Sequence, residues 1–253
     1  MTDESINIGQ WTLDSLNELL ITAASIVNTA DRISFLSELF IGTPYQENTL
    51  IGSVDTNEVF VINFSCVDCF TFIDYIEAMR MSSSFSAFKK NLRRIRYRSG
   101  SMSFVNRNHF FNDWLEFNSQ FVEDVTGKVG LKHTRTICKV LNRREDGSFF
   151  VPGIKPVQRY VRFIPSSSLS DQVISRLKTG DYIGIYSDHQ GLDVTHVGIF
   201  IRKGKVSLFR NASSAREFRK VLDLNFAEYV KKNPGIIVFR PKDVLKTVLV
   251  NQH

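Results

Sequence analysis

The chain has 253 residues, 43% of them hydrophobic and 21 of them Phe, which is ample for the core of one domain. Its 3 cysteines exclude a disulfide framework, and no run of about 18 apolar residues is present to span a membrane. Lys plus Arg number 32 against 26 Asp plus Glu, giving +6 and a pI near 9.2; this suits nucleic acid, a membrane surface or an acidic cell-wall polymer without choosing among them.

The start, MTDESINIGQ, lacks the basic run and apolar block of a secretory leader. The expectation is a cytosolic protein, or a chain whose leader lies upstream. Residues 11–29 repeat Leu13, Leu16, Leu20, Ala23 and Val27 at helical spacing, and a shorter helical pattern over 31–40 ends before Gly42. GTPY (42–45) is a Gly/Pro turn, followed by an irregular segment. In 63–80, NFSCVDCFTFIDYIEAMR, Phe72, Ile73, Ile76 and Met79 mark the buried face of a helix whose first turn holds Cys69. Unpaired N–H groups and the positive end of the dipole favour an anion there, so a depressed thiol pKa and a nucleophile are expected.

A further helix is predicted over 84–95, with Phe85, Phe88, Leu92 and Ile95 facing inward. Its Lys89, Lys90, Arg93, Arg94, Arg96 and Arg98 are either a solvated face or an anion-binding patch, with only Tyr97 interleaved for base stacking. The segment 103–116 mixes Arg107, Asn108, His109, Asn112, Asp113 and Trp114, as a binding cleft or the start of a helix would. Strands are predicted at 134–142 and 157–164 around the EDG turn at 145–147, with Cys138 read as a buried core thiol. Ser170 caps a helix over 171–178, stopped by Gly180. Strands then follow at 181–187, 194–202, 206–212 and 235–241, with a helix over 223–232 opening at Asp223. Helices first and antiparallel strands after give an α+β pattern. With no linker, residues 1–253 read as a single domain, a helical part to about 62 preceding a core over 63–241.

His196 opens the apolar strand HVGIFI, where a rigid element would hold its ring as a base. A hairpin through Lys203, Gly204 and Lys205 would bring Asn211 beside it, completing a Cys–His–Asn set with Cys69. Rival readings share these residues. Zinc would need Cys66, Cys69 and two of His109, His133 and Cys138, but only one end shows paired ligands. A thioredoxin-type pair of Cys66 and Cys69 would want a βαβ unit that the pattern lacks. No metal or cofactor is expected, and a basic nucleic-acid-binding protein stands as the alternative of another class.

Several stretches together resemble a family. DCFTF (68–72), THVGIFI (195–201) and RNASS (210–214) resemble the NlpC-type papain-like cell-wall hydrolases, and GTPY and LKTGD (177–181) fit that scheme. RYRSG (96–100), NRNHFFNDW (106–114), DVTH (193–196) and GIIVFRP (235–241) resemble its N-acetylmuramoyl-L-alanine amidase-like branch, so the likeness covers about 35–241. The resemblance implies a papain-like fold with Cys69 as nucleophile, His196 as base and Asn211 as orienting group, where relatives more often have histidine. It implies substrate contacts from Asp68, Tyr45, Arg107 and His109, and leaves Cys66 outside the pattern. The implied substrate is peptidoglycan or a muropeptide, cut between N-acetylmuramic acid and L-alanine. The alternative cut lies within the stem, between D-glutamate and a diamino acid. The implied location is the periplasm or cell envelope, with the cytoplasm open in the absence of a leader, and no nucleic-acid partner.

Overall fold

The structure, a computed structural model, describes residues 3–243; residues 1–2 and 244–253, His253 among them, lie outside it. β1 (Glu4–Asn7) is followed by α1 (Leu13–Ser25) and α2 (Thr29–Glu38), whose N-termini are capped by the side chains of Thr12 and Asn28. β2 (Phe60–Asn63) pairs in parallel with β1 and leads to α3 (Cys69–Arg80), α4 (Phe85–Arg96) and α5 (Phe111–Phe117). The rest of the chain is strand-rich: β3 (Val122–Asp124), α6 (Thr126–Gly130), β4 (Arg135–Leu141), β5 (Val157–Pro165), α7 (Asp171–Ile174), β6 (Tyr182–Tyr186), β7 (Val194–Lys203), β8 (Val206–Ala212), β9 (Val221–Asn225), α8 (Phe226–Lys231) and β10 (Gly235–Pro241).

The large sheet runs β4-β5-β10-β6-β7-β8-β9, with β3 beside β10 and every pairing antiparallel. Alternation along β7 divides its side chains between two cores. Val197, Ile199 and Ile201 pack with α3, whereas Phe200 joins Phe209 and Phe226 beneath α6, α7 and α8. The expected α+β architecture is therefore present, with helices on both faces of a mainly antiparallel sheet.

α3 is the pivot of the packing, since every residue from Thr71 to Arg80 is buried. Its charges are neutralised inside the protein, the condition on which buried charge is tolerated. Glu77 is ion-paired with Arg80 and accepts from the Tyr182 hydroxyl at 2.7 Å. Asp74 accepts from Arg96 Nε at 3.1 Å and Trp114 Nε1 at 3.0 Å. The basic cluster of α4 is spent in the same way. Lys89 and Arg93 pair with Glu4, Arg98 with Asp113, and Arg96 is buried. The anion-patch reading loses most of its charge.

Several sequence expectations need correction. α1 stops at Ser25, and Val27 lies beyond it, 76% exposed. Cys138 is exposed rather than core, because its face of the β4–β5 hairpin, shared with Val140 and with Tyr160 opposite, points to solvent. The helix expected over 223–232 is two elements. Residues 221–225 pair with β8 as a strand, and Asn225 caps α8, its side chain accepting from the Glu228 N–H. The segment taken as irregular contains β2, a buried edge too short to show a pattern.

Candidate active site

Cys69 is the first residue of α3. Asp68 is its N-cap, with Oδ1 accepting from the N–H groups of Phe70 at 2.9 Å and Thr71 at 2.7 Å, and Thr71 bonds back in a capping box. The second Asp68 oxygen accepts from Thr49 Oγ1 at 3.2 Å. The cap accepts from the N–H donors of the second and third helical residues and leaves that of Cys69 without an acceptor on Asp68.

The expected depression of the Cys69 pKa does not occur. Burial, and then the adjacent Asp68 carboxylate, push the thiol up to about 12. The N–H groups of Val197, Cys69 itself and Phe70 act the other way and are outweighed. A helix terminus contributes fixed partial charges, and a full negative charge beside a desolvated sulfur is the larger effect.

His196 lies where β7 meets a bulge. Val194 pairs with Tyr186 and His196 with Ile185, so Thr195 is the extra residue. The β7–β8 register, with Ile199 opposite Arg210, when continued sets Asn211 opposite Gly198, which carries no side chain. The imidazole two residues along the same face then reaches Asn211 diagonally, and His196 Nε2 and Asn211 Oδ1 are 2.9 Å apart. Asn211 Nδ2 donates to the Phe209 carbonyl at 3.2 Å, which turns Oδ1 toward the ring. Nε2 therefore carries the proton and Nδ1 keeps its lone pair. Burial lowers the His196 pKa, the Asn211 hydrogen bond and the Asp68 charge opposing it.

Cys69 and this pair meet across the backbone. The backbone of Val197, next to His196 and just beyond the paired rungs of β7 and β8, is close enough to the Cys69 sulfur to favour its thiolate. The ring of Tyr229 lies 6.4 Å from that of His196 and is close enough to Cys69 for a thiolate charge to help raise its phenol pKa to about 12, after burial. Among the described residues no hydrogen bond joins Cys69 directly to His196. Tyr45 also lies in this neighbourhood: burial, then the charges of Cys69 and Asp68, push its phenol up to about 12. Arg219, at a left-handed φ of 45°, stacks its guanidinium 4.9 Å from the Tyr45 ring centroid.

The other expected contacts are engaged elsewhere. Arg107 pairs with Glu58 at 2.7 Å and donates to the Ile51 carbonyl at 2.7 Å, which pins the loop over residues 51–58. His109 Nε2 bonds the Phe104 carbonyl at 2.8 Å, and burial lowers its pKa. Cys66 bonds Gln46 and Asn63, both at 3.1 Å. Val67 bridges Tyr45 and Asp68 is extended, and such a three-residue run spans roughly 10 Å, beyond disulfide reach. The thioredoxin-type reading fails on that geometry. Among the described residues, no cluster of three or more His, Cys, Asp or Glu is arranged to hold a metal.

Two features escaped the sequence. Asp193, buried, accepts from Asn112 N at 2.7 Å and Nδ2 at 3.0 Å, tying the first turn of α5 to the start of the His196 strand. Tyr229 lies on a helix whose register the sequence reading misplaced. Beside it a cavity of about 460 Å³ opens between His196, the loop after Asn211 and α8.

The fold is that of a mixed helix and antiparallel-sheet protein, and the site brings a cysteine at a helix N-terminus into the neighbourhood of a His–Asn pair. The family model described as AmiA-like, N-acetylmuramoyl-L-alanine amidase-like, matches residues 35–236, and the chain belongs to that family. Its fold is shared with a Legionella pneumophila protein of the DUF1460 family model at TM-score 0.78, with 22% identity over 90% of this chain and 94% of that one. An N-acetylmuramoyl-L-alanine amidase from Bacteroides uniformis matches at TM-score 0.67 and 25% identity, over 90% of this chain and 99% of that one. No curated protein matches.

Proposed function

We propose that the protein is a papain-like cysteine hydrolase of the NlpC type, cleaving the amide between N-acetylmuramic acid and L-alanine in peptidoglycan or muropeptides. The observation that carries this reading is the 2.9 Å bond from His196 Nε2 to Asn211 Oδ1, which leaves Nδ1 as a base on the residue next to Val197, whose backbone lies near the Cys69 sulfur. Family membership supports the choice of amide.

At rest the pair is neutral, a thiol beside an imidazole, because burial raises one pKa and lowers the other. Nδ1 takes the thiol proton as sulfur attacks the lactyl carbonyl. The Cys69 N–H, left over by the Asp68 cap, stabilises the oxyanion, at ~3 kcal/mol for such a donor. His196 then returns the proton to the leaving alanine nitrogen, and water, deprotonated by the same ring, clears the thioester. Asp68 and Tyr45 contact substrate at the cleft; Arg107 and His109 shape its wall from behind. The site of action on this reading is the cell envelope.

Cys69→Ala is the test. It is expected to abolish peptide release from muropeptides while leaving the melting temperature nearly unchanged, and full activity in the variant would remove the nucleophile. Mass spectrometry of the digest fixes the bond: free sugar plus intact peptide marks the amidase, whereas a cut peptide marks a stem endopeptidase.

A further inference from the structure

We propose that the cavity beside His196 is the subsite for the departing peptide, and that it selects a zwitterionic stem through Glu217 and Glu228, which take an ammonium, and Lys232, which takes a carboxylate. This rests on the hydrolase reading for its catalytic meaning. The cavity, about 460 Å³, is of ligand-binding size. His196 is on its wall and Cys69 is not. In an acyl transfer the base that attends the nucleophile later protonates the leaving amine, so whatever leaves with that nitrogen lies on the imidazole side of the sulfur. For a muramoyl amide, that group is the peptide.

The wall's chemistry matches such a group. Tyr229 and Phe218 supply aromatic surface. Glu217, Glu228 and Lys232 form no ion pair among the described residues, although many other charges in this chain are paired. Two carboxylates and one ammonium give the cavity a net −1 in a chain of +6. A stem of L-alanine, γ-linked D-glutamate and a diamino acid offers the complementary set, carboxylates together with a side-chain amine. Nucleic acid offers only anions and would meet two carboxylates here.

The test uses the intact protein and two probes: the tripeptide L-alanyl-γ-D-glutamyl-meso-diaminopimelate, and the same peptide acetylated on its side-chain amine. Both resemble product and need no turnover. Calorimetric titration is expected to show the free-amine tripeptide binding about fivefold more tightly than the acetylated one. Glu217→Gln/Glu228→Gln is expected to erase that preference, so that acetylation costs the double variant nothing further. Lys232→Gln is expected to weaken both peptides alike. Equal binding of the two peptides to the wild type, or a preference that survives in the double variant, overturns the proposal. If the preference appears but the intact protein releases no peptide from muropeptides, the subsite stands as a peptide site and the hydrolase reading falls instead.

Discussion

The residues of the site set their own pH behaviour. Cys69 has its thiol pushed up to about 12 by burial and by Asp68, so little thiolate exists at neutral pH without help. Alkylation by iodoacetamide should therefore be slower at pH 7 than that of free cysteine, and should rise about tenfold per pH unit up to pH 9. Asp68→Asn keeps a capping side chain but removes the charge, and should speed alkylation at every pH in that range; an unchanged rate would show that the carboxylate has no hold on the sulfur. In the proposed mechanism His196 works only when neutral, and burial lowers its pKa from 6.5. Activity should thus survive below pH 6.5 and fall as pH drops through the lowered value. The Asn211 bond raises that pKa, so Asn211→Ala should move the acid limb of kcat/KM lower still, while reducing kcat about 10²-fold through loss of ring orientation. A variant with normal kcat and an unmoved limb would remove Asn211 from the site.

At the scale of elements, α3 carries both the proposed nucleophile and the most costly charges of the core. Arg80→Met leaves Glu77 buried with only the Tyr182 hydroxyl and should cost about 3–5 kcal/mol by denaturant unfolding. Arg80→Met/Glu77→Gln should recover a large part of that loss, because the stranded charge is gone. The helix itself was readable from the spacing of Phe72, Ile73, Ile76 and Met79, since one apolar face is a local signal. Its buried charged flank was not readable, because Asp74 and Glu77 look solvated until Arg96, Trp114 and Tyr182 arrive from elsewhere in the chain. His196 and Asn211 could be placed beside each other because the Gly204 hairpin is short and fixes the register. Tyr229 could not, because the run 221–232 alternates too briefly before Asn225 to declare a strand and then a helix. Cys138 misled for a related reason: an apolar strand pattern cannot say which face of a hairpin stays open.

Across the whole molecule, the far edge of the sheet is tied to the strand that bears His196, the proposed base. Lys139, in edge strand β4, reaches into the interior and donates its ammonium to the carbonyls of Ser187, His189 at 3.0 Å and Leu192 at 2.9 Å, over the ring of Tyr186. Those carbonyls belong to the loop between β6 and β7, whose end is Asp193, itself fixed by Asn112. From the same side Gly191, at φ 81°, passes so close to Arg143 that an added Cβ would stand 2.2 Å from its carbonyl oxygen. The bulge that aims His196 is therefore held from two sides, by α5 through Asp193 and by β4 through one lysine. Lys139→Met fills similar space but leaves the carbonyls of Ser187 and Leu192 without their donor, that of His189 keeping the Leu192 N–H. It should cost about 1–3 kcal/mol and raise amide exchange over 187–192. If the loop does aim the imidazole, kcat should fall while thiol alkylation keeps its wild-type pH dependence, since the surroundings of Cys69 are untouched. A variant that loses stability but keeps kcat would confine Lys139 to holding the sheet together.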